Sequence, residues 1–163
     1  MIGIDTFSWG KLIRLKNDNV WSNIIGELIP KIDWFITIEG KKEFEHFFPT
    51  ELDLLDHCTV LPLLNEKLDD FVGKGYDRND ASLLEYNCVR NYRIITEDRP
   101  MLLEGVTSKQ DIIMLIDFFS ELTGKNNYFT SRELYHLIQL FRKWRNIDEK
   151  KENAIEKLRK RLF

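Results

Sequence analysis

The chain has 163 residues, a net charge of −3 and 43% hydrophobic residues, which excludes a disordered, fibrous or disulfide-stapled protein. No apolar run reaches the ~18 residues of a membrane span, and Met1-Ile2-Gly3-Ile4-Asp5 meets an acid before any basic n-region. Neither a membrane partner nor a signal peptide is therefore expected, and Cys58 and Cys88, which lack metal-ligand spacing, read as reduced, buried thiols of a cytoplasmic protein.

In chain order, residues 1–4 predict a short buried strand. Residues 9–29 predict helix, with a break near 16–19 and a stop at Pro30; Val20, Trp21, Ile24, Ile25 and Leu28 recur at helical spacing. Trp34-Phe35-Ile36-Thr37-Ile38 is aromatic and β-branched and predicts a second strand. Gly40 separates it from a short helix over 41–48 that Pro49 stops, and Thr50 is placed to cap a brief turn. Thr59-Val60-Leu61 predicts a third strand, weakened by Pro62. Helices follow over 65–72 and 80–92, then Arg93-Ile94-Ile95-Thr96 as a strand. Asp111 to Leu115 predicts a fifth strand, 117–122 a helix, Ser131 an N-cap for a helix to Arg145, and Ile147 onward a last charged helix.

Alternation of strand and helix predicts an α/β fold, a parallel sheet of about five strands flanked by helices. The expected division is a catalytic domain over 1–125 and a helical extension over 126–163 packed on it. Charge is uneven: residues 1–140 carry 15 basic and 23 acidic side chains, residues 141–163 carry 9 and 4. The basic end reads either as a solvated helix face or as a patch for a polyanion.

In open parallel sheets, ligands bind beyond the carboxyl ends of the strands. Asp5 closes the first strand, and Glu97 and Asp98 follow the fourth. Glu43 is placed in the first turn of the helix after the second strand, and Asp80 in the first turn of the helix leading to the fourth. Capping and the helix macrodipole favour acids in first helical turns, which gives Glu43 a structural reading and Asp80 one in a cap begun by Asp77, and Asp98 also reads as a turn residue before Arg99-Pro100. Asp5 is the hardest to explain that way. Together, four carboxylates repel one another unless a hard cation such as Mg²⁺ or Mn²⁺ is bound, and that pairing suits phosphodiester hydrolysis.

Three segments resemble the PIN-domain ribonucleases: Ile2-Gly3-Ile4-Asp5-Thr6-Phe7-Ser8, Asn79-Asp80-Ala81-Ser82-Leu83-Leu84-Glu85-Tyr86 and Ile94-Ile95-Thr96-Glu97-Asp98-Arg99. Glu43-Phe44 resembles the family's acid in its second helix, with Glu39 and Glu45 as neighbouring alternatives. The resemblance covers about residues 1–125. It implies a PIN-like fold and a Mg²⁺- or Mn²⁺-dependent ribonuclease acting on single-stranded RNA, with Asp5, Glu43, Asp80 and Asp98 as catalytic metal ligands. Ser8 and Thr96 would orient carboxylates or water, Glu97 is a further ligand or a solvent-facing acid, and Arg99 a phosphate contact or an exposed side chain. The family often forms homodimers, and its small VapC-type toxins pair with an antitoxin protein; the extra length after Leu122 departs from that toxin pattern.

His46, His57 and His136 are scattered and read as surface or interface residues. Arg142-Lys143-Trp144-Arg145, with Lys157, Arg159, Lys160 and Arg161, suits RNA contacts, although Trp144 also continues the apolar stripe of Leu134, Leu137, Ile138 and Phe141. The alternative to a nuclease is a non-catalytic RNA- or protein-binding module that uses these basic helices.

Overall fold

A computed structural model describes residues 1–126, 129–144 and 149–160. The chain divides into two compact units, Met1–Ile113 and Met114–Phe163, so the helix expected at 117–122 belongs with the C-terminal helices.

The first unit holds five strands: β1 (Ile2–Ile4), β2 (Trp34–Thr37), β3 (Cys58–Leu61), β4 (Arg93–Ile95) and β5 (Ile112–Ile113). They form one sheet of order β3-β2-β1-β4-β5, with every neighbouring pair parallel. The α/β class and the all-parallel five-stranded sheet agree with the sequence. β3 is an edge strand, which lets Pro62 follow it directly without breaking a ladder.

Helices cover both faces. On one side α1 (Thr6–Lys16), α2 (Ser22–Leu28) and α3 (Ile38–Phe47) bury Trp9 against Trp34 and Phe44, with ring centroids 5.8 and 5.3 Å apart. On the other side α5 (Arg78–Arg90), which follows the short α4 (Leu68–Gly73), lays Tyr86 against Phe35 at 5.3 Å. The strand period of two therefore sends Trp34 and Phe35 to opposite layers. Gly3 makes this packing possible: a Cβ there would stand 2.6 Å from Cζ of Phe35 and 3.0 Å from Cδ2 of Leu83.

Several boundaries differ from the sequence expectation. α1 starts at Thr6, because Asp5 itself caps it. α3 starts at Ile38 under a Thr37 cap, so Gly40 lies inside the helix rather than before it. Pro30 does not stop the second helix outright; the backbone passes into a 3₁₀ turn over Ile29–Lys31. Thr50 caps nothing, and the 3₁₀ turn at Leu52–His57 begins from Glu51. The helix expected from Asn65 starts at Leu68, since Asn65 adopts a left-handed φ of 59°. A helix the apolar pattern does not announce, α6, spans Arg99–Ser108 from an Asp98 cap with Pro100 in its first turn.

The second unit contains α7 (Leu115–Asn126), α8 (Ser131–Lys143) and α9 (Glu149–Lys160). Thr130, not Ser131, caps α8, in a reciprocal capping box with Glu133. Leu134, Leu137, Ile138 and Phe141 are buried, and Trp144 packs on Phe141 at 4.8 Å. Arg142 bridges α8 to Glu152 of α9 at 3.1 Å. The expected Arg145, Ile147 and Arg161 lie outside the described residues. Among the described residues, no helix is long and apolar enough to cross a membrane.

Both cysteines are free. Cys58 is half-buried, its thiol pushed up to about 12 by burial. Cys88 is exposed, contrary to expectation, because it falls on the outer side of α5 just past the run of core positions ending at Asn87.

Candidate functional site

The strand order reverses beside β1: the chain first builds outward through β2 and β3, then returns to place β4 and β5 on the other side. A crevice at the carboxyl end of such a switch point is where open α/β sheets bind ligands. Helices α1 and α6 begin there, each capped by an acid.

Asp5 is 3% exposed. Its Oδ1 accepts the backbone N–H of Ser8 at 2.7 Å, and its Oδ2 accepts the Thr96 hydroxyl and the backbone N–H of Glu97, the latter at 3.2 Å. Burial pushes the Asp5 carboxyl above the usual range, while the hydrogen bonds from Ser8, Thr96 and Glu97 pull the other way. The acid thus has the capping role that its position after a strand did not suggest. Thr96 extends the linkage: its oxygen accepts the backbone N–H of Asp98 at 2.9 Å. Asp98, half-buried, caps α6 through Oδ2, which accepts from the N–H of Met101 at 3.2 Å.

Asp80 sits in the first turn of α5, where its backbone N–H donates to Oδ1 of Asp77 at 2.8 Å. Its carboxyl is pushed up to about 8, first by burial and then by the negative charges of Asp77, Asp5, Asp98 and Glu43. That field places Asp5, Asp80, Asp98 and Glu43 in one electrostatic neighbourhood. Burial also raises the Tyr76 phenol, with the charges of Glu104, Asp98 and Asp80 adding to the effect.

Glu43 lies one turn deeper than expected, in the second turn of α3; Glu39 occupies the first. The earlier start of α3 at the Thr37 cap causes the shift. Glu43 is fixed by Asn79, whose amide nitrogen donates to its Oε2 and lies 3.4 Å from the Thr6 hydroxyl. An open depression of about 370 Å³ beside them is lined by Glu39, Lys42, Glu43, His46, Asp77, Arg78 and Asn79. Glu39 is committed to the cations Lys42 and Arg78, at 3.3 and 3.9 Å. Glu45 lies 3.7 Å from Lys41.

Glu97 does not face solvent. Its side chain is 6% exposed and pairs with Nζ of Lys11 at 2.5 Å. Ser8 contacts Asp5 through its backbone N–H. Arg99 is exposed, as are His46 and His57, whereas His136 is half-buried.

The sequence alone does not point to roles for Asn79 and Lys11. Asn79 carries a signal: an amide directly before Asp80-Ala81, at the start of a helix whose following side chains are almost all buried. Lys11 carries none, since its partner lies 86 positions away.

Among the described residues, no group of three or more His, Cys, Asp or Glu side chains is arranged to hold a metal ion. Compared with family models, with curated proteins and with solved structures, the chain matches none.

Proposed function

We propose that this chain is a PIN-like, Mg²⁺- or Mn²⁺-dependent endoribonuclease of the cytoplasm that hydrolyses phosphodiester bonds of RNA. What supports the reading is that Asp5 and Asp98 follow β1 and β4, where the strand order reverses, and that the negative charges of Asp5, Asp98 and Glu43 act on Asp80. The resemblance of the segments around Asp5, Asp80 and Asp98 to the PIN ribonucleases supplies RNA as substrate.

The donor set suits a hard cation. All of it is carboxylate oxygen; burial first and then the surrounding negative charges lift Asp80 to about 8, and the repulsive part is the kind a divalent ion removes. Mg²⁺ usually keeps several waters and needs only a few carboxylates. Bound there, it would neutralise charge developing on the phosphodiester and activate water for attack.

The chain's own groups set the geometry. Thr96 fixes the Asp5 carboxylate and the entry of α6 together, so that Asp5 and Asp98 keep one spacing. Asn79 holds the Glu43 carboxylate through a hydrogen bond to its Oε2. Lys11 neutralises Glu97, so that acid adds no further uncompensated charge beside Asp5.

The test is cleavage of a labelled single-stranded RNA by the purified full chain with Mn²⁺, with EDTA, and after Asp80→Asn. Asp80 is the best choice because its carboxylate caps no helix: Asp77 has that role in α5, whereas Asp5 and Asp98 each hold a helix start. Cleavage should need the metal and fall at least 100-fold in the variant. Undiminished cleavage by a folded Asp80→Asn protein removes this site from the reading.

A further inference from the structure

Residues 74–77, which join α4 to α5, are strapped to α6. Tyr76 donates its hydroxyl to the Pro100 carbonyl at 3.1 Å, with Oε2 of Glu104 3.5 Å away, and Nζ of Lys74 stands 2.7 Å from Oε1 of Glu104. Gly75 lies between the two at a φ of 99°, a conformation that favours glycine. Asp77, the residue after Tyr76, caps α5. We propose that Tyr76 is a positioning residue for the metal-binding acids: its bond to Pro100 holds the start of α5, which carries Asp80, against the start of α6, which carries Asp98. This rests on the metal-dependent nuclease reading, and deepens it by naming what sets the spacing of two of its ligands.

Neither helix start needs this bond in order to form. α5 has its own cap in Asp77, whose Oδ1 accepts the N–H of Asp80 at 2.8 Å, and α6 has its own in Asp98, whose Oδ2 accepts the N–H of Met101. α4 is anchored by buried Leu68 and Phe71, and Phe71 meets the Tyr76 ring edge-on at 6.3 Å. What remains for the Tyr76 hydroxyl to fix is the relation between the two helix starts.

The acids give that relation something to resist. After burial and the charges of Asp77 and Asp5, the charge of Asp98 raises the Asp80 carboxyl, so these two acids repel each other. The Tyr76 phenol is raised by burial first and then by the charges of Glu104, Asp98 and Asp80, which sets it in the field of both. Repulsion between Asp80 and Asp98 pushes the starts of α5 and α6 apart, and the bond from Tyr76 to the first turn of α6 opposes it. Mg²⁺ demands near-ideal octahedral geometry, so carboxylates held at one spacing bind it more tightly than carboxylates that drift.

The test is Mn²⁺ binding by the purified full chain, read from the electron paramagnetic resonance signal of the free ion, with RNA cleavage and urea midpoints measured alongside. Tyr76→Phe keeps the ring on Phe71 and removes the hydroxyl. It should leave the urea midpoint unchanged and raise the Mn²⁺ dissociation constant roughly ten-fold, the scale on which groups that orient metal ligands act. In an Asp80→Asn background, where that ligand is already gone, the same change should cost less than about two-fold. Unchanged Mn²⁺ affinity in folded Tyr76→Phe overturns the proposal. So does a loss equally large beside Asp80→Asn, or one matched by a lowered urea midpoint, since either assigns the hydroxyl to the fold at large. RNA cleavage by the wild type with Tyr76-independent Mn²⁺ binding ends this inference and leaves the nuclease reading intact. Mn²⁺ binding that depends on Tyr76 without any RNA cleavage does the reverse, and a wild type that binds no Mn²⁺ removes both.

Discussion

The Thr96 hydroxyl donates to Oδ2 of Asp5, and its oxygen accepts the backbone N–H of Asp98 at 2.9 Å. One fully buried side chain at the end of β4 thereby couples the carboxylate that ends β1 to the backbone that starts α6.

Thr96→Val keeps the shape and removes the hydroxyl. The buried Asp5 carboxylate then loses a donor, and the Asp98 N–H loses its acceptor. Unsatisfied buried groups of this kind cost about 1–3 kcal/mol each. The expected result is a lower urea midpoint by that order, with most of the loss recovered by Thr96→Ser. A Thr96→Val midpoint equal to wild type would show that the linkage carries no energy.

The Asp80 carboxyl lies near 8 in the folded chain against 3.8 for an ordinary aspartate. The folded state therefore holds its proton more tightly than the unfolded state between those values. Stability from this group is present at low pH, declines as pH rises through that window, and levels off above about 8. Asp80→Asn should flatten the decline and raise stability at pH 8 by roughly 1–3 kcal/mol, less than the full shift implies because the side chain is partly solvated. Mn²⁺ at about 100 times its dissociation constant should stabilise the wild type at pH 8 by ~2.7 kcal/mol. It should do so far less in the variant. Urea titrations at pH 5 and pH 8, with and without Mn²⁺, measure all three effects.

Glu85 is completely buried, and its carboxylate accepts four backbone N–H groups: Glu66 and Lys67 at 2.7 Å, Leu68 at 3.1 Å and Leu64 at 3.2 Å. It caps α4 from another helix, because Lys67 at the N-cap gives no side-chain bond. Glu85→Gln replaces one acceptor oxygen by a donor that faces N–H groups. A destabilisation of roughly 2–4 kcal/mol is expected. Faster amide exchange at Glu66, Lys67 and Leu68 than in the sheet would locate the damage; uniform exchange would contradict it.

β2 was legible because its residues are contiguous, aromatic or β-branched, and all four are buried. Asp5 and Asp98 were legible as acids at strand ends. Their capping roles were not, because a cap becomes visible only once the helix start is known, and α6 carries Arg99, Pro100 and exposed Leu103 and Val106 in place of a clean amphipathic stripe. Glu85 carries no signal of its role in the sequence. Its four partners lie 17 to 21 positions away, at and just before the start of α4. Asn79 stands out only as part of the helix start it accompanies, while its bond to Glu43 spans 36 positions and depends on where α3 begins.

That start makes Gly40 a test of the Asn79–Glu43 contact. In a helix interior, Gly→Ala ordinarily gains up to ~1 kcal/mol. Here a Cβ would stand 2.8 Å from Oδ1 of Asn79 and 3.1 Å from Cγ1 of Ile36. Asn79 is buried and bonded to Glu43, so it yields only by moving that acid. Gly40→Ala should therefore destabilise by about 1–3 kcal/mol, the scale of overpacking, and lower RNA cleavage more than Mn²⁺-independent stability alone accounts for. Asn79→Ala removes the obstructing atom and also frees Glu43. In the double variant Gly40→Ala/Asn79→Ala, the two stability losses should fall short of additive by at least ~0.5 kcal/mol. Strict additivity in a urea double-mutant cycle would mean that Gly40 and Asn79 act independently, and that the close approach of α3 to α5 does not set the position of Glu43.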